Sequence, residues 1–97
     1  MGIFVYIGHD GPKGAELRQT ETRERHLANL EGLVAADRVV YAGPLRDETG
    51  APRGSLIVFE AEDLASARAI AESDPYHVEG VFERLEVFES MQVFPKP

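Results

Sequence analysis

The pattern of apolar and polar residues along the chain predicts four strands and two helices. Runs rich in β-branched and aromatic residues predict strands at residues 3–7, 38–43, 55–61 and 84–94. Apolar residues recur at helical spacing from Thr20 to Ala36, and again in the segment that begins at Asp63. Thr20 and Asp63 are the expected N-caps of these helices, and Pro75 is expected to end the second one.

The predicted elements follow one another in the order β-α-β-β-α-β. This order is typical of the ferredoxin-like fold, an α+β arrangement in which both helices pack on one face of a four-stranded antiparallel sheet. The segment 43–54 contains three glycines and two prolines, and it predicts a long hairpin loop between the second and third strands. Residues 1–97 are expected to form a single domain, because a chain of this length supports one core of modest stability.

The predicted strands are apolar on both faces of the sheet. Residues 3–7 and 56–59 are apolar in succession, whereas a strand with one face in water alternates between apolar and polar residues. The chain has no third long helix to cover the second face. We therefore expect the same face of another copy to cover it, which gives a symmetric homodimer; a bound apolar ligand or a different partner is the alternative.

The charge of the chain argues against binding to nucleic acid. It has 17 acidic and 10 basic residues and a net charge of -7, whereas a phosphate-binding surface needs a cluster of Lys and Arg. The chain has no Cys, which excludes disulfides and thiol nucleophiles and suits the reducing cytoplasm, the expected location. The apolar run near the N terminus is only five residues long, too short for a signal core or a membrane span.

His26 and Asp74 are the candidate catalytic residues. On a helical projection, His26 and Arg23 lie on the same side of the helix as an apolar stripe, so both side chains are expected to point inward. The stripe consists of Leu27, Leu30, Leu33 and Val34. Asp74 follows the second predicted helix, where a carboxylate faces the negative end of the helix dipole. The structural alternatives are a half-buried His bonded to a backbone carbonyl and an Asp that accepts a turn bond.

If these two side chains meet, the pair is a general base. The carboxylate accepts a hydrogen bond from one ring nitrogen, fixes the tautomer and stabilises the imidazolium that forms when the other nitrogen takes a proton. Arg23 would then hold an anionic group or stabilise an oxyanion, unless it forms an ion pair with Asp74 or Asp10. Ser55 lies outside any nucleophile motif and is at most a hydrogen-bond donor. No metal or organic cofactor is expected, because ligand spacing is absent among His9, Asp10, His26 and His77.

Four motifs resemble the YciI-like family in order and in approximate spacing. They are RERHLANL, AGPL, GSLIVFEA and SDPYHVEGVFE, which match the family pattern R-x-x-H-L, A-G-P, G-S and D-P-Y. The resemblance covers nearly the whole chain and implies a ferredoxin-like dimeric α/β barrel. It places the family's proposed active-site dyad at His26 and Asp74. It also implies that Arg23, Ser55 and Tyr76 line the same cleft.

The resemblance has two implications for the activity. Asp10 matches an acid that often follows the first strand in this family, and it is expected to bind the substrate. A dehydrochlorinase that acts on a hydroxylated aromatic compound is similar to the family, which favours proton abstraction and elimination. The segments HDGPKGAE and RDETGAPRG depart from the family pattern beside the cleft, so the substrate of a relative does not carry over.

The sequence therefore predicts a cytoplasmic, homodimeric, cofactor-free enzyme of lyase or isomerase type. His26 would take a proton from a small hydroxylated cyclic substrate, Asp74 would orient the imidazole, and Arg23 and Ser55 would bind substrate oxygen atoms. One alternative is a non-catalytic ligand-binding or interaction module in which the His–Asp pair is structural. The other is a cofactor-free monooxygenase.

Overall fold

A computed structural model describes residues 1–97 and contains four strands and four helices. In chain order the elements are β1 Gly2–Asp10, α1 Gly14–Leu17, α2 Thr22–Ala35, β2 Val39–Arg46, β3 Pro52–Ala61, α3 Leu64–Glu72, α4 Pro75–Val78 and β4 Phe82–Ser90. The strands form one sheet in the order β2-β3-β1-β4, and every neighbouring pair is antiparallel. The predicted ferredoxin-like fold is therefore confirmed.

The core lies between one face of the sheet and the helices. Along β1 the buried residues alternate with half-buried ones, because successive side chains of a strand point to opposite faces. Phe4 and Tyr6 are 2% and 0% exposed and pack with Ala67 and Ala71 of α3. Two alanines on the inner side of α3 let this helix lie close to the sheet.

One of the two predicted helix caps differs from the structure. Asp63 caps α3 as expected, because its carboxylate accepts a hydrogen bond from the backbone N–H of Ser66. This bond also holds the pKa of Asp63 below its ordinary value. Helix α2 begins at Thr22, so its N-cap is Glu21 and not the predicted Thr20. The Thr20 hydroxyl donates to the carbonyl of Leu17 and accepts from the backbone N–H of Thr22. Helix α3 ends before Pro75, but Pro75 is also the first residue of α4.

The predicted hairpin loop is shorter than expected. Strand pairing continues from Gly43 opposite Leu56 to Arg46 opposite Pro52, so only residues 47–51 form the turn. Proline is tolerated here because Pro44 lies on the edge strand β2 and Pro52 is the first residue of β3. The last strand is also shorter than its apolar pattern predicts, since β4 ends at Ser90 rather than at residue 94.

The second face of the sheet is apolar and open in a single chain. Its central residues Ile3, Val5 and Val58 are half-buried, and the flanking rings of Tyr41 and Phe88 are 54% and 49% exposed. Contiguous apolar surface of this kind marks an interaction site more often than a solvated face. The expected homodimer through this face stays a prediction. Separately, no helix in the chain combines the length and the apolar character that crossing a membrane requires.

The close contact between Gly8 and Phe82 generates the first prediction. A Cβ atom at Gly8 would overlap the Phe82 ring, which packs directly on β1. Gly8→Ala is therefore expected to lower the free energy of unfolding by about 1–3 kcal/mol. Gly32→Ala is the matched control: its Cβ meets nothing in α2, so we expect a gain of up to about 1 kcal/mol from helix propensity. Urea denaturation measures both changes. A Gly8→Ala protein as stable as the parent would contradict the close packing of Phe82 on β1.

Candidate active site

The structure brings His26 and Asp74 together. His26 lies in the second turn of α2, and Asp74 lies between α3 and α4, yet His26 Nδ1 and Asp74 Oδ1 are 2.7 Å apart. The two residues are 6% and 0% exposed. A buried carboxylate is costly unless every oxygen accepts hydrogen bonds, so the other partners of Asp74 determine whether this pair is stable.

Three donors surround the carboxylate of Asp74. The Tyr6 hydroxyl donates to Oδ2 at 2.5 Å, and the backbone N–H of Tyr76 donates to Oδ1 at 2.8 Å. The second bond makes Asp74 the N-cap of α4, so the carboxylate that follows α3 also has a backbone partner. The turn-bond alternative is also correct, so Asp74 serves both the backbone and the imidazole.

Tyr6 can act only as a donor to Asp74. Burial, followed by the charge and the hydrogen bond of Asp74, raises the pKa of the Tyr6 hydroxyl far above its ordinary value of 10.0. Because Asp74 Oδ1 already accepts from the backbone, the hydrogen-bond network assigns the His26 proton to Nδ1. The other ring nitrogen, Nε2, forms no hydrogen bond within the chain.

The imidazole is held against the ring of Tyr76. The two rings are parallel within 4° and their centroids are 3.8 Å apart. Phe82 contacts Tyr76 edge-on, with centroids 5.7 Å apart, and supports the Tyr76 ring from β4. One turn before His26 on α2, Thr22 hydrogen bonds to Glu79 at the end of α4, as does Arg25. These contacts fix the orientation of His26 relative to α4.

Arg18 forms the second polar group of the site, and sequence reasoning missed it. It follows α1, and its Nε and Nη2 donate to the two carboxylate oxygens of Asp10 at 2.7 and 2.9 Å. Nη2 also donates to Ser55 Oγ at 3.1 Å, and the guanidinium carbon lies 4.8 Å from the centroid of the Tyr76 ring. The inward position of Asp10 at the end of β1 was the available signal, since a buried carboxylate requires a cation nearby.

Arg23 lies apart from both carboxylates. The alternative in which it pairs with Asp74 or Asp10 is wrong, because Asp10 pairs with Arg18 and Asp74 pairs with His26. The expectation that its side chain points inward beside His26 is also wrong. Arg23 is exposed at the rim of the site. The apolar stripe of α2 is likewise not fully buried: Leu27 and Val34 are 36% and 59% exposed, while Thr22 and His26 are the buried residues of this helix.

A cavity of about 190 Å³ lies beside His26. Its polar lining comes from Arg18, Arg23, His26, Ser55 and Tyr76. Its apolar lining comes from Leu27 and Leu30 of α2, Ala42 and Pro44 of β2, and Ile57 of β3. Asp10 and Asp74 do not line it, so Asp10 supports Arg18 and does not take the place in the cleft that the sequence predicts. The arrangement places an imidazole and several hydrogen-bond donors around one small cavity.

The residues considered for a metal do not come together. His9 lies on the open face of the sheet, where its Nε2 is 2.6 Å from Glu86 Oε1. This contact holds the pKa of Glu86 below its ordinary value. No group of three or more His, Cys, Asp or Glu side chains has the geometry to hold a metal ion. The predicted absence of a metal and of a cofactor stays a prediction.

Comparisons with known proteins agree on one family. The model of the YCII-related domain matches residues 3–91. Protein YciI from Escherichia coli O6:H1 is 34% identical over 98 residues, which cover 95% of this chain and 99% of that protein.

Solved structures share the fold. The 5-chloro-2-hydroxyhydroquinone dehydrochlorinase TftG from Burkholderia phenoliruptrix AC1100, in complex with 2,5-dihydroxybenzoquinone, superposes with a TM-score of 0.79 at 25% identity. The match covers 93% of this chain and 94% of the dehydrochlorinase. An antibiotic biosynthesis monooxygenase superposes with a TM-score of 0.56 at 11% identity, covering 96% of this chain and 99% of that one. At that identity the second match shows the fold alone.

The hydrogen bond from Tyr6 to Asp74 generates the second prediction. Tyr6→Phe leaves Asp74 Oδ2 without its donor, so we expect the free energy of unfolding at neutral pH to fall by about 1–3 kcal/mol. Tyr41→Phe is the control, because its ring is 54% exposed and its loss is expected to stay below about 0.5 kcal/mol.

The stabilities of the parent and of Tyr6→Phe should depend differently on alkaline pH. Only the unfolded chain can release the Tyr6 proton, because the folded pKa is strongly raised. The stability that Tyr6 contributes is therefore complete below pH 10 and falls by about 1.4 kcal/mol per pH unit above it. Tyr6→Phe lacks this loss, so the two stabilities should converge above about pH 10. A constant difference up to about pH 11 would contradict the raised pKa.

Proposed function

This chain belongs to the YCII-related domain family, and from that premise we propose that it is a cofactor-free enzyme of lyase or isomerase type. The observation that carries the proposal is the buried His26–Asp74 pair, whose free Nε2 belongs to a residue that lines a small cavity. A nitrogen with a free lone pair beside a carboxylate that stabilises its protonated form is a general base. The match to a dehydrochlorinase over 93% of this chain supports an elimination or a related proton transfer.

The reaction begins with a proton transfer to His26. Nε2 takes a proton from a hydroxylated ring in the cavity, and the electron pair stays on the substrate. In an elimination this pair expels a leaving group as its anion; in an isomerisation the proton returns at another atom. Asp74 stabilises the imidazolium through Nδ1–H, because the Coulomb attraction between them acts in a buried environment.

The remaining residues of the site orient the substrate. The apolar side chains that line the cavity accept a flat ring, while Ser55 and Arg23 bind its oxygen atoms. Tyr76 holds the imidazole in place through ring stacking. Asp10 acts indirectly, since both of its carboxylate oxygens accept from Arg18. We place the protein in the cytoplasm as a homodimer whose subunits meet through the open faces of their sheets.

A non-catalytic ligand-binding module is the competing proposal. In that case the His–Asp pair serves only to hold α2 against α4, and the cavity binds a ligand without changing it. The two proposals differ in what the loss of His26 does, because a structural pair affects stability and a catalytic pair affects turnover as well. The monooxygenase alternative has only the shared fold in its favour.

Replacement of His26 provides the third prediction. With a substrate found by screening hydroxylated and halogenated single-ring compounds for halide release or isomerisation, His26→Gln is expected to lower kcat by about 10²–10⁴-fold. His9→Gln makes the same chemical change on the open face of the sheet, away from the cavity, and should keep parental turnover.

Thermal unfolding of the same variants separates the two proposals. A folded His26→Gln protein with parental turnover would contradict general-base catalysis. A large loss of stability in His26→Gln and His26→Ala, with no turnover found for the parent, would favour the binding module instead.

The open sheet face provides the fourth prediction. Sedimentation is expected to give twice the 10.7 kDa mass of one chain. Val58→Lys places a charge in the middle of the open face and should yield a folded monomer, because an unpaired charge is costly in an apolar interface. Val34→Lys, on the exposed side of α2, should leave the dimer intact. A monomeric parent would overturn the proposed assembly.

A further inference from the structure

The cavity is lined by positively charged side chains, whereas the chain as a whole is negatively charged. The whole protein carries a net charge of -7, yet the ionisable side chains that line the cavity are Arg18, Arg23, His26 and the neutral Tyr76. No Asp or Glu lines it. Both nearby carboxylates, Asp10 and Asp74, are turned toward their own partners. Every cavity-facing group that carries a full charge is therefore a cation.

Arg18 is held in place with one donor group unused. Its Nε and Nη2 donate to Asp10, and Nη2 also donates to Ser55, but Nη1 forms no hydrogen bond within the chain. The side chain of Arg18 is only 12% exposed. A guanidinium fixed by two bonds to a carboxylate loses little further freedom when its remaining N–H groups bind a ligand.

Ser55 adds a second donor beside Arg18. Its oxygen accepts from Arg18 Nη2, so its own hydroxyl proton is free to point into the cavity. Tyr76 connects this pair to the base, because its ring contacts both the Arg18 guanidinium and the His26 imidazole. A ring in the cavity would thus meet the base near one edge and the donors near another.

We propose that Arg18 is the specificity-determining residue of this site and that it selects single-ring ligands carrying an oxyanion, such as phenolates and enolates. Arg18 Nη1 and the Ser55 hydroxyl donate to the charged oxygen, and Arg23 at the rim attracts the anion from solvent. The inference rests on the proposed function only in using the same cavity. It deepens that function, because proton removal by His26 leaves negative charge on the substrate.

Asp10 sets the strength of this selection. Its carboxylate neutralises part of the Arg18 charge through two hydrogen bonds. Asp10→Asn keeps the shape of the side chain and removes the negative charge. An anion in the cavity should therefore bind more tightly to Asp10→Asn than to the parent, which a purely structural role for the Arg18–Asp10 pair does not predict.

The experiment compares two probes that differ mainly in charge. 4-Nitrophenolate and the neutral 4-nitroanisole are titrated into the full chain by calorimetry at a pH where the phenol is ionised. We expect 4-nitrophenolate to bind about 10- to 100-fold more tightly, as for a charge-assisted hydrogen bond in a site of low exposure. Arg18→Lys should remove most of this preference, because it loses the donor fork. Asp10→Asn should strengthen phenolate binding several-fold without changing 4-nitroanisole.

Controls separate this inference from the proposed reaction. Arg25→Gln, a cation change on the exposed side of α2, should keep the parental preference. Probe binding requires no turnover, so the loss of catalysis and the loss of anion selection are independent results. Equal affinity for the two probes, no binding of either at millimolar concentration, or an intact preference in folded Arg18→Lys would overturn the proposal. If Arg18→Lys fails to fold, weaker or unchanged phenolate binding to Asp10→Asn overturns it.

Discussion

The buried carboxylate of Asp74 is the constraint on which the rest of the site depends. It accepts hydrogen bonds from β1 through Tyr6, from α2 through His26 and from the backbone of α4 through Tyr76. A single charged group thus connects three elements that are far apart in the chain. Because a buried charge without partners is strongly destabilising, these elements cannot separate independently. The need of the Asp74 carboxylate for hydrogen-bond donors therefore stabilises the fold and also orients the imidazole of His26.

Much of the fold could be predicted from local patterns. Strand and helix periodicities follow from which residues must be buried, and Asp63 shows the sequence signature of an N-cap that the structure confirms. The boundaries were less predictable, because they depend on pairing partners. Leu45 and Arg46 lie in a segment rich in turn residues, yet both extend β2 because Gly54 and Pro52 of β3 pair with them.

The site was predictable only in part, and the reasons are physical. His26 and Asp74 stood out because each breaks a local rule. His26 is a polar residue on the inward side of one helix, and Asp74 is a carboxylate at the C-terminal end of another. Tyr6 did not stand out, since an aromatic residue in a strand is ordinary and its hydroxyl gains a role only when α4 is in place. Arg18 lies in an irregular connection between helices, where no periodicity indicates the direction of a side chain.

The double use of Asp74 affects how relatives of this protein should be compared. A descendant that lost the reaction would still need this carboxylate to begin α4 and to accept from Tyr6. Retention of the Asp-Pro-Tyr triplet is therefore a marker of inherited architecture and gives no evidence of retained chemistry. Arg18 must still neutralise the buried Asp10, whereas Arg23 is exposed and pairs with neither carboxylate. Arg23 is therefore the cavity-facing group that is free to drift, and divergence at this position would distinguish a working enzyme from a silent homologue.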